Sequence, residues 1–129
     1  MKEFPLVFLD RYLAICKLPP DTALPEWAEV SDLLGYIRTP YELTLICDED
    51  VVPADITYEG GWCPIYIDAI LEFDLVGVLS AILNQLAAVG IPIFSLSTYS
   101  TDFILIRCDK RDLAEQVLTQ AGYNITNMD

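Results

Sequence analysis

Residues 65–108 read IYIDAILEFDLVGVLSAILNQLAAVGIPIFSLSTYSTDFILIRC. The spacing of apolar residues changes period inside this stretch. From Ile65 it alternates: Ile65, Ile67, Ala69, Leu71 and Phe73 fall on one side, with Tyr66, Asp68, Ile70 and Glu72 on the other. That predicts a strand over 65–73 with one buried face. From Leu75 the apolar positions become Leu75, Leu79, Ile82, Leu83 and Leu86, the stripe of an amphipathic helix. Asp74 suits the N-cap, because a carboxylate can accept from the free amides of a first turn. Gly90 is placed to end the helix in a left-handed conformation, and Pro92 forbids its continuation. Two strands follow, joined by the polar turn at 97–102.

Toward the C-terminus, 111–121 predicts a second helix with Leu113, Val117 and Leu118 inward. Gly122 caps it, and 123–125 is a last short strand. The order strand, helix, strand, strand, helix, strand is the ferredoxin-like arrangement. Toward the N-terminus, 1–10 reads as a short lead and 11–18 as a strand stopped by Pro19-Pro20. Residues 21–30 hold enough for one helical turn. Strands are expected over 33–38 and 42–47, and 51–61 reads as a linker marked by Pro53 and Gly60-Gly61.

The two halves echo one another. Thr39-Pro40-Tyr41-Glu42-Leu43-Thr44-Leu45 parallels Thr98-Tyr99-Ser100-Thr101-Asp102-Phe103-Ile104, a duplication with a period of about sixty residues. Allowing small length differences, Glu42 falls at the position of Asp102. After Asp48, Pro53 and the short spacing leave no room for a second helix. The expected organisation is a truncated module over 1–61 and a complete one over 62–129.

At this point a family resemblance emerges. Asp74-x-x-Gly77-x-Leu79-x-x-Ile82, with Leu86 and Gly90-Ile91-x-Ile93, resembles the strand–loop–helix signature of ACT domains. The hairpin from Ser95 to Leu105 is similar to the tandem-ACT group that includes aspartate kinase regulatory regions and CASTOR-type arginine sensors. The resemblance runs over 62–125; many ACT domains carry proline where this chain has Val76. It implies an α+β protein of ferredoxin-like (βαββαβ) ACT modules, with antiparallel sheets and helices on one face. It also implies a regulatory protein without catalytic activity, with an amino acid held at a module interface and the chain associated as a homodimer.

By the same resemblance the ligand lies near the strand–helix loop, Asp74, Leu75, Val76, Gly77 and Val78, and the hairpin residues Ser97, Thr98, Thr101, Asp102 and Phe103. The chemistry is coherent. Amides at a helix N-terminus suit a carboxylate, an acid at Asp74 or Asp102 suits an ammonium, and Gly77 admits close approach to the main chain. Each residue also has a structural reading. Asp74 could only cap, Gly77 could serve helix packing, and Ser97, Thr98 and Ser100 could only satisfy a turn.

Composition limits the alternatives. Seven basic against twenty acidic residues give a formal charge of −13, which repels nucleic acid. The absence of histidine removes the commonest general base. The loop Phe73-Asp74-Leu75-Val76-Gly77 has neither the arginine nor the glycine-rich cradle of a phosphate site. Asp48-Glu49-Asp50 is read as a solvated loop. A ferredoxin-like hydrolase and a ligand-free interaction module remain the competing readings. Cys16, Cys47, Cys63 and Cys108 form no C-x-x-C pair and are expected as buried free thiols, with zinc through all four disfavoured by spacing. No metal or cofactor is expected. Residues 75–96 carry no charge, but Asn84, Gln85, Gly90 and Pro92 interrupt any membrane span. Lys2, Glu3, Asp10 and Arg11 interrupt any secretory leader, so a cytoplasmic location is expected and the Asn124-Ile125-Thr126 sequon is read as unused.

Overall fold

The structure, a computed structural model, describes residues 4–128. In chain order its elements are β1 (Leu6–Leu9), β2 (Leu13–Leu18), β3 (Gly35–Arg38), β4 (Leu43–Asp48), β5 (Thr57–Ile67), α1 (Val78–Ala88), β6 (Ile93–Ser97), β7 (Asp102–Arg107), α2 (Arg111–Gln120) and β8 (Ile125–Met128). The chain divides into two compact units, Met1–Asp10 with Cys63–Asp129, and Arg11–Trp62. No helix among the described residues is long and apolar enough to cross a membrane.

In the larger unit the strand order is β6-β7-β5-β1-β8, with residues 63–67 of β5 taking part. Leaving out β1, this is the expected ferredoxin-like order. β1 itself departs from the reading of 1–10 as a lead. Leu6-Val7-Phe8 is a continuous apolar run because both of its faces are buried, so it shows no alternation to mark it as a strand. β1 lies antiparallel to β5, with Leu6 opposite Ile67, and parallel to β8, with Leu6 opposite Ile125. The expectation of a wholly antiparallel sheet therefore fails at this ladder. The cause is the insertion of β1 between two strands that run in opposite directions.

Both helices cover one sheet face. Leu6, Phe8, Ile65, Ile67, Ile104 and Ile106 meet Val78, Ile82 and Leu86 of α1 and Ala114 and Leu118 of α2 in one buried cluster. Each such large side chain contributes roughly 1.5–3 kcal/mol by leaving water. Leu113, expected inward, stands on the outer side of α2, and Ala114 takes the inward place. Tyr123 belongs to this core, and β8 begins after it.

β5 stops at Ile67 instead of Phe73. Beyond it, the Asp68 amide donates to the Pro5 carbonyl at 2.9 Å, the last bond in the β1–β5 register, which Pro5 has no N–H to return; the Ala69 amide then donates to the Ile67 carbonyl at 2.9 Å, which turns the chain out of the ladder. Ala69 and Leu71 still pack against the same core. The alternation thus continued as burial without strand geometry. α1 begins at Val78 instead of Leu75, with Gly77 at its N-cap in the left-handed region (φ +85°). Asp74 lies outside the helix, and no side chain caps it. Gly90 does end the helix at positive φ, as expected.

Cys63 and Cys108 are joined by a disulfide across a Cα separation of 5.0 Å, which corrects the expectation of four free thiols. They are 45 residues apart in sequence, so only the folding of the unit brings them together. Cys16 and Cys47 are free and buried. A hydrogen bond between them, together with burial, pushes the Cys47 thiol well above its usual range. The same bond pulls the Cys16 thiol down.

The smaller unit has strand order β3-β4-β2-β5, using residues 57–62 of β5. β2 and β4 pair antiparallel over Leu13–Leu18 and Leu43–Asp48, around a core of Ala14, Cys16, Leu43, Leu45 and Cys47. Among its described residues the unit contains no α-helix. The expected linker is half strand, because β5 starts at Thr57 and includes Gly60-Gly61. The carboxylate of Glu49 occupies the space beside Gly60 and accepts from the Gly61 amide at 2.8 Å, which supports a strand where two glycines alone would not.

The internal echo reappears as a repeated turn. The Thr39 hydroxyl accepts from the amides of Tyr41 and Glu42, and the Thr39 amide donates to the Glu42 carbonyl. The Thr98 hydroxyl accepts from Ser100 and Thr101, and the Thr98 amide donates to the Thr101 carbonyl. This register sets Glu42 against Thr101, and the buried Leu43 against Asp102. The sequence match of Glu42 with Asp102 is one residue out, and the first hairpin has no acid at the equivalent position.

Candidate functional site

Two hydrogen bonds tie the segment 67–77 to the β6–β7 hairpin, and a third lies within the hairpin. The Leu71 amide donates to the Ser100 carbonyl at 2.7 Å. The Thr101 hydroxyl donates to the Ile67 carbonyl at 2.6 Å. The Ser97 hydroxyl donates to Asp102 Oδ1 at 2.5 Å. The loop reaches α1 through a turn in which the Leu75 amide donates to the Glu72 carbonyl, and Gly77 then supplies the positive φ that aims the first turn of α1.

Between these parts lies a cavity of about 420 Å³. Leu71, Glu72, Phe73, Leu75, Gly77, Val78, Leu79, Ser80, Leu83, Ser97, Thr101 and Asp102 line it. Of the residues singled out from sequence, Leu75, Gly77, Val78, Ser97, Thr101 and Asp102 come together here. Asp74 lines a neighbouring surface groove with Phe73 and Tyr99. Val76 is exposed. The Thr98 hydroxyl is engaged in its turn. Phe103 alternates with Asp102 to the opposite sheet face, where its ring lies 5.4 Å from that of Tyr66.

Glu72, Ser80 and the apolar wall of Leu71, Leu79 and Leu83 were not singled out by sequence. Glu72 looked like an outward strand position, and the early end of β5 turns it into a lining residue. Ser80 gave a weak signal as a hydroxyl in the first turn of a helix.

The charges are one-sided. Residues 65–106 contain no lysine or arginine, so the two carboxylates at the cavity, Glu72 and Asp102, face no cation from this stretch. Near them are three hydroxyls and the open end of α1, whose first amides lack helical partners. Such a set can take an ammonium at a carboxylate, a carboxylate at the helix end, and an aliphatic chain against Leu79 and Leu83. No group of three or more metal-ligating side chains occurs among the described residues.

Residues 57–120 match the family model of the ACT domain, and residues 10–55 match a second model, that of an N-terminal domain. No curated protein matches the chain. Among solved structures, a structural-genomics protein from Agrobacterium tumefaciens is 27% identical with a TM-score of 0.90, over 96% of this chain and 92% of its own. A Vibrio cholerae protein of unknown function, described as a possible transport protein, is 21% identical with a TM-score of 0.77, over 94% and 91%. The ligand-free regulatory subunit of aspartate kinase from Thermus thermophilus is 13% identical with a TM-score of 0.56, over 94% and 95%. The last two likenesses are of fold. The βαββαβ order around α1, Gly77 and the β6–β7 hairpin, together with the family match over residues 57–120, makes this chain an ACT-domain protein.

Proposed function

We propose that the chain is a non-catalytic regulatory protein that binds a free amino acid in the cavity between the 71–79 segment and the β6–β7 hairpin. The observation that carries this reading is the convergence, on one ACT domain, of Asp102, Ser97, Thr101 and the open end of α1 around about 420 Å³. Asp102 receives the ligand ammonium or a cationic side chain, and the α1 amides receive its carboxylate. The smaller unit, residues 11–62, acts as a truncated second module, without a site, since Leu43 stands where Asp102 stands in the complete one.

The proposal includes a homodimer that brings a module boundary near the ligand. Support comes from β6, an edge strand of its sheet, and from α1, which carries no charged side chain. Light scattering at micromolar concentration is expected to give twice the chain mass of 14.5 kDa, and a value near 14.5 kDa refutes the dimer.

The ligand reading is tested by a thermal-shift screen against the twenty amino acids, because a ligand bound only by the native state raises its melting point. At a hundredfold excess over Kd the gain is about 2.7 kcal/mol. Asp102→Asn is expected to abolish the response while leaving the ligand-free melting point nearly unchanged. A response retained in Asp102→Asn, or no response to any amino acid, overturns the reading.

A further inference from the structure

Large apolar side chains stand in solvent beside the cavity. Ile70 is 82% exposed, Phe73 77%, Val76 82% and Tyr99 83%. They are not on a loose segment, since the Leu71–Ser100 hydrogen bond ties the loop to the hairpin tip. The Phe73 and Tyr99 rings meet edge to face with centroids 4.9 Å apart. A groove of about 400 Å³ runs along them, past Ile70, Glu72 and Asp74. Burial of such a patch by a partner is the common reason for its exposure.

We propose that this face docks a segment of another protein in which cationic side chains are interspersed with apolar ones. The charge pattern selects that occupant. Glu72 and Asp74 line the groove with the apolar residues, and no cation occurs from 65 to 106 to oppose them. A lysine or arginine reaching over the rings gains cation–π attraction and a carboxylate partner together, while its apolar neighbours fill the groove.

A second copy of this chain fits poorly. Two-fold pairing would set the acidic groove of Glu72 and Asp74 against the same acidic groove of the second copy. The chain's own cations are largely committed elsewhere. Arg11 lies 3.7 Å from Asp48 and 3.8 Å from Asp32, and Lys17 lies 3.9 Å from Glu42. Arg38 donates to the carbonyls of Pro20 and Thr22, and Arg111 to the Leu9 carbonyl and Asn127. The docking face adjoins the cavity and shares Leu71, Glu72 and Phe73 with its wall, and it concerns what the protein acts upon instead of which ligand it holds.

The test uses the full chain and short fluorescein-labelled peptides followed by anisotropy: one alternating Leu and Lys, one Leu and Glu, one Ser and Lys. The Leu–Lys peptide is expected to bind, and the other two at least about tenfold more weakly, a difference of about 1.4 kcal/mol. Phe73→Ser with Tyr99→Ser, at exposed positions and checked by melting, is expected to weaken the Leu–Lys peptide by at least about tenfold. Equal binding to this double variant makes the interaction bulk charge attraction and overturns the proposal. Equal binding of the Leu–Glu peptide, or no binding of any peptide, overturns it as well. A dimeric wild type that the double variant converts to a monomer assigns the face to a second copy, and also overturns it.

Discussion

Gly60 offers a sharp test of the packing in the smaller unit. A Cβ built there would lie 2.6 Å from Cδ and Oε2 of Glu49 and 2.8 Å from Oε1, closer than side chains approach. Gly60 is not among the glycines at positive φ, so Gly60→Ala meets a steric obstacle without backbone strain. Relief requires the Glu49 carboxylate to move, which breaks its hydrogen bond from the Gly61 amide. A hydrogen bond to a charged group contributes roughly 1.5–3 kcal/mol, and this half-buried one belongs near the lower end. Replacing Gly by Ala offsets about 0.4–1 kcal/mol by restricting the unfolded chain. Gly60→Ala should therefore cost about 1 kcal/mol, and Glu49→Ala about 1.5 kcal/mol. With Glu49→Ala already present, Gly60→Ala should become neutral or stabilising by up to about 1 kcal/mol. Urea denaturation of the four proteins reads this as shifts in midpoint at unchanged slope. An equal cost of Gly60→Ala in both backgrounds would show that the Glu49 carboxylate is not the obstacle, and the reasoning would fail.

Three further outcomes follow from the geometry. Gly77 sits at φ +85° with open space around its missing Cβ, so Gly77→Ala should cost only backbone strain, about 1–2 kcal/mol, or about 4–8 °C in Tm; an unchanged Tm would deny the left-handed cap. Ile82→Ala, at a fully buried position in the α1 face, should cost about 2–5 kcal/mol, and a loss under 1 kcal/mol would place that side chain outside the core. Thiol titration in denaturant should count Cys16 and Cys47 without reductant and all four cysteines after reduction, and four thiols from the start would refute the Cys63–Cys108 bond.

Much of the fold could be read from local patterns. The α1 stripe at Ile82 and Leu86, the left-handed stop at Gly90, the turn threonines and the absence of an α-helix between β4 and β5 all rest on interactions between residues close in sequence. The resemblance to ACT domains rested on the same local features, and so did the choice of Gly77, Ser97, Thr101 and Asp102 as candidate residues. Only the tertiary structure decided the rest. β1 is recognisable as a strand through its partners β5 and β8, because burial on both faces erases alternation. Beyond Ile67 the chain leaves the ladder because Pro5 has no N–H to return the Asp68 bond and the Leu71 amide finds the distant Ser100 carbonyl, and Glu72 then stands in the cavity wall instead of outward on a strand. The Cys63–Cys108 bond and the contact of Gly60 with Glu49 likewise join residues that sequence separates. Periodicity reports which residues are buried. It does not report which backbone geometry buries them or which distant group meets them, because those are set by competition for hydrogen-bond partners and space once the chain has closed on itself.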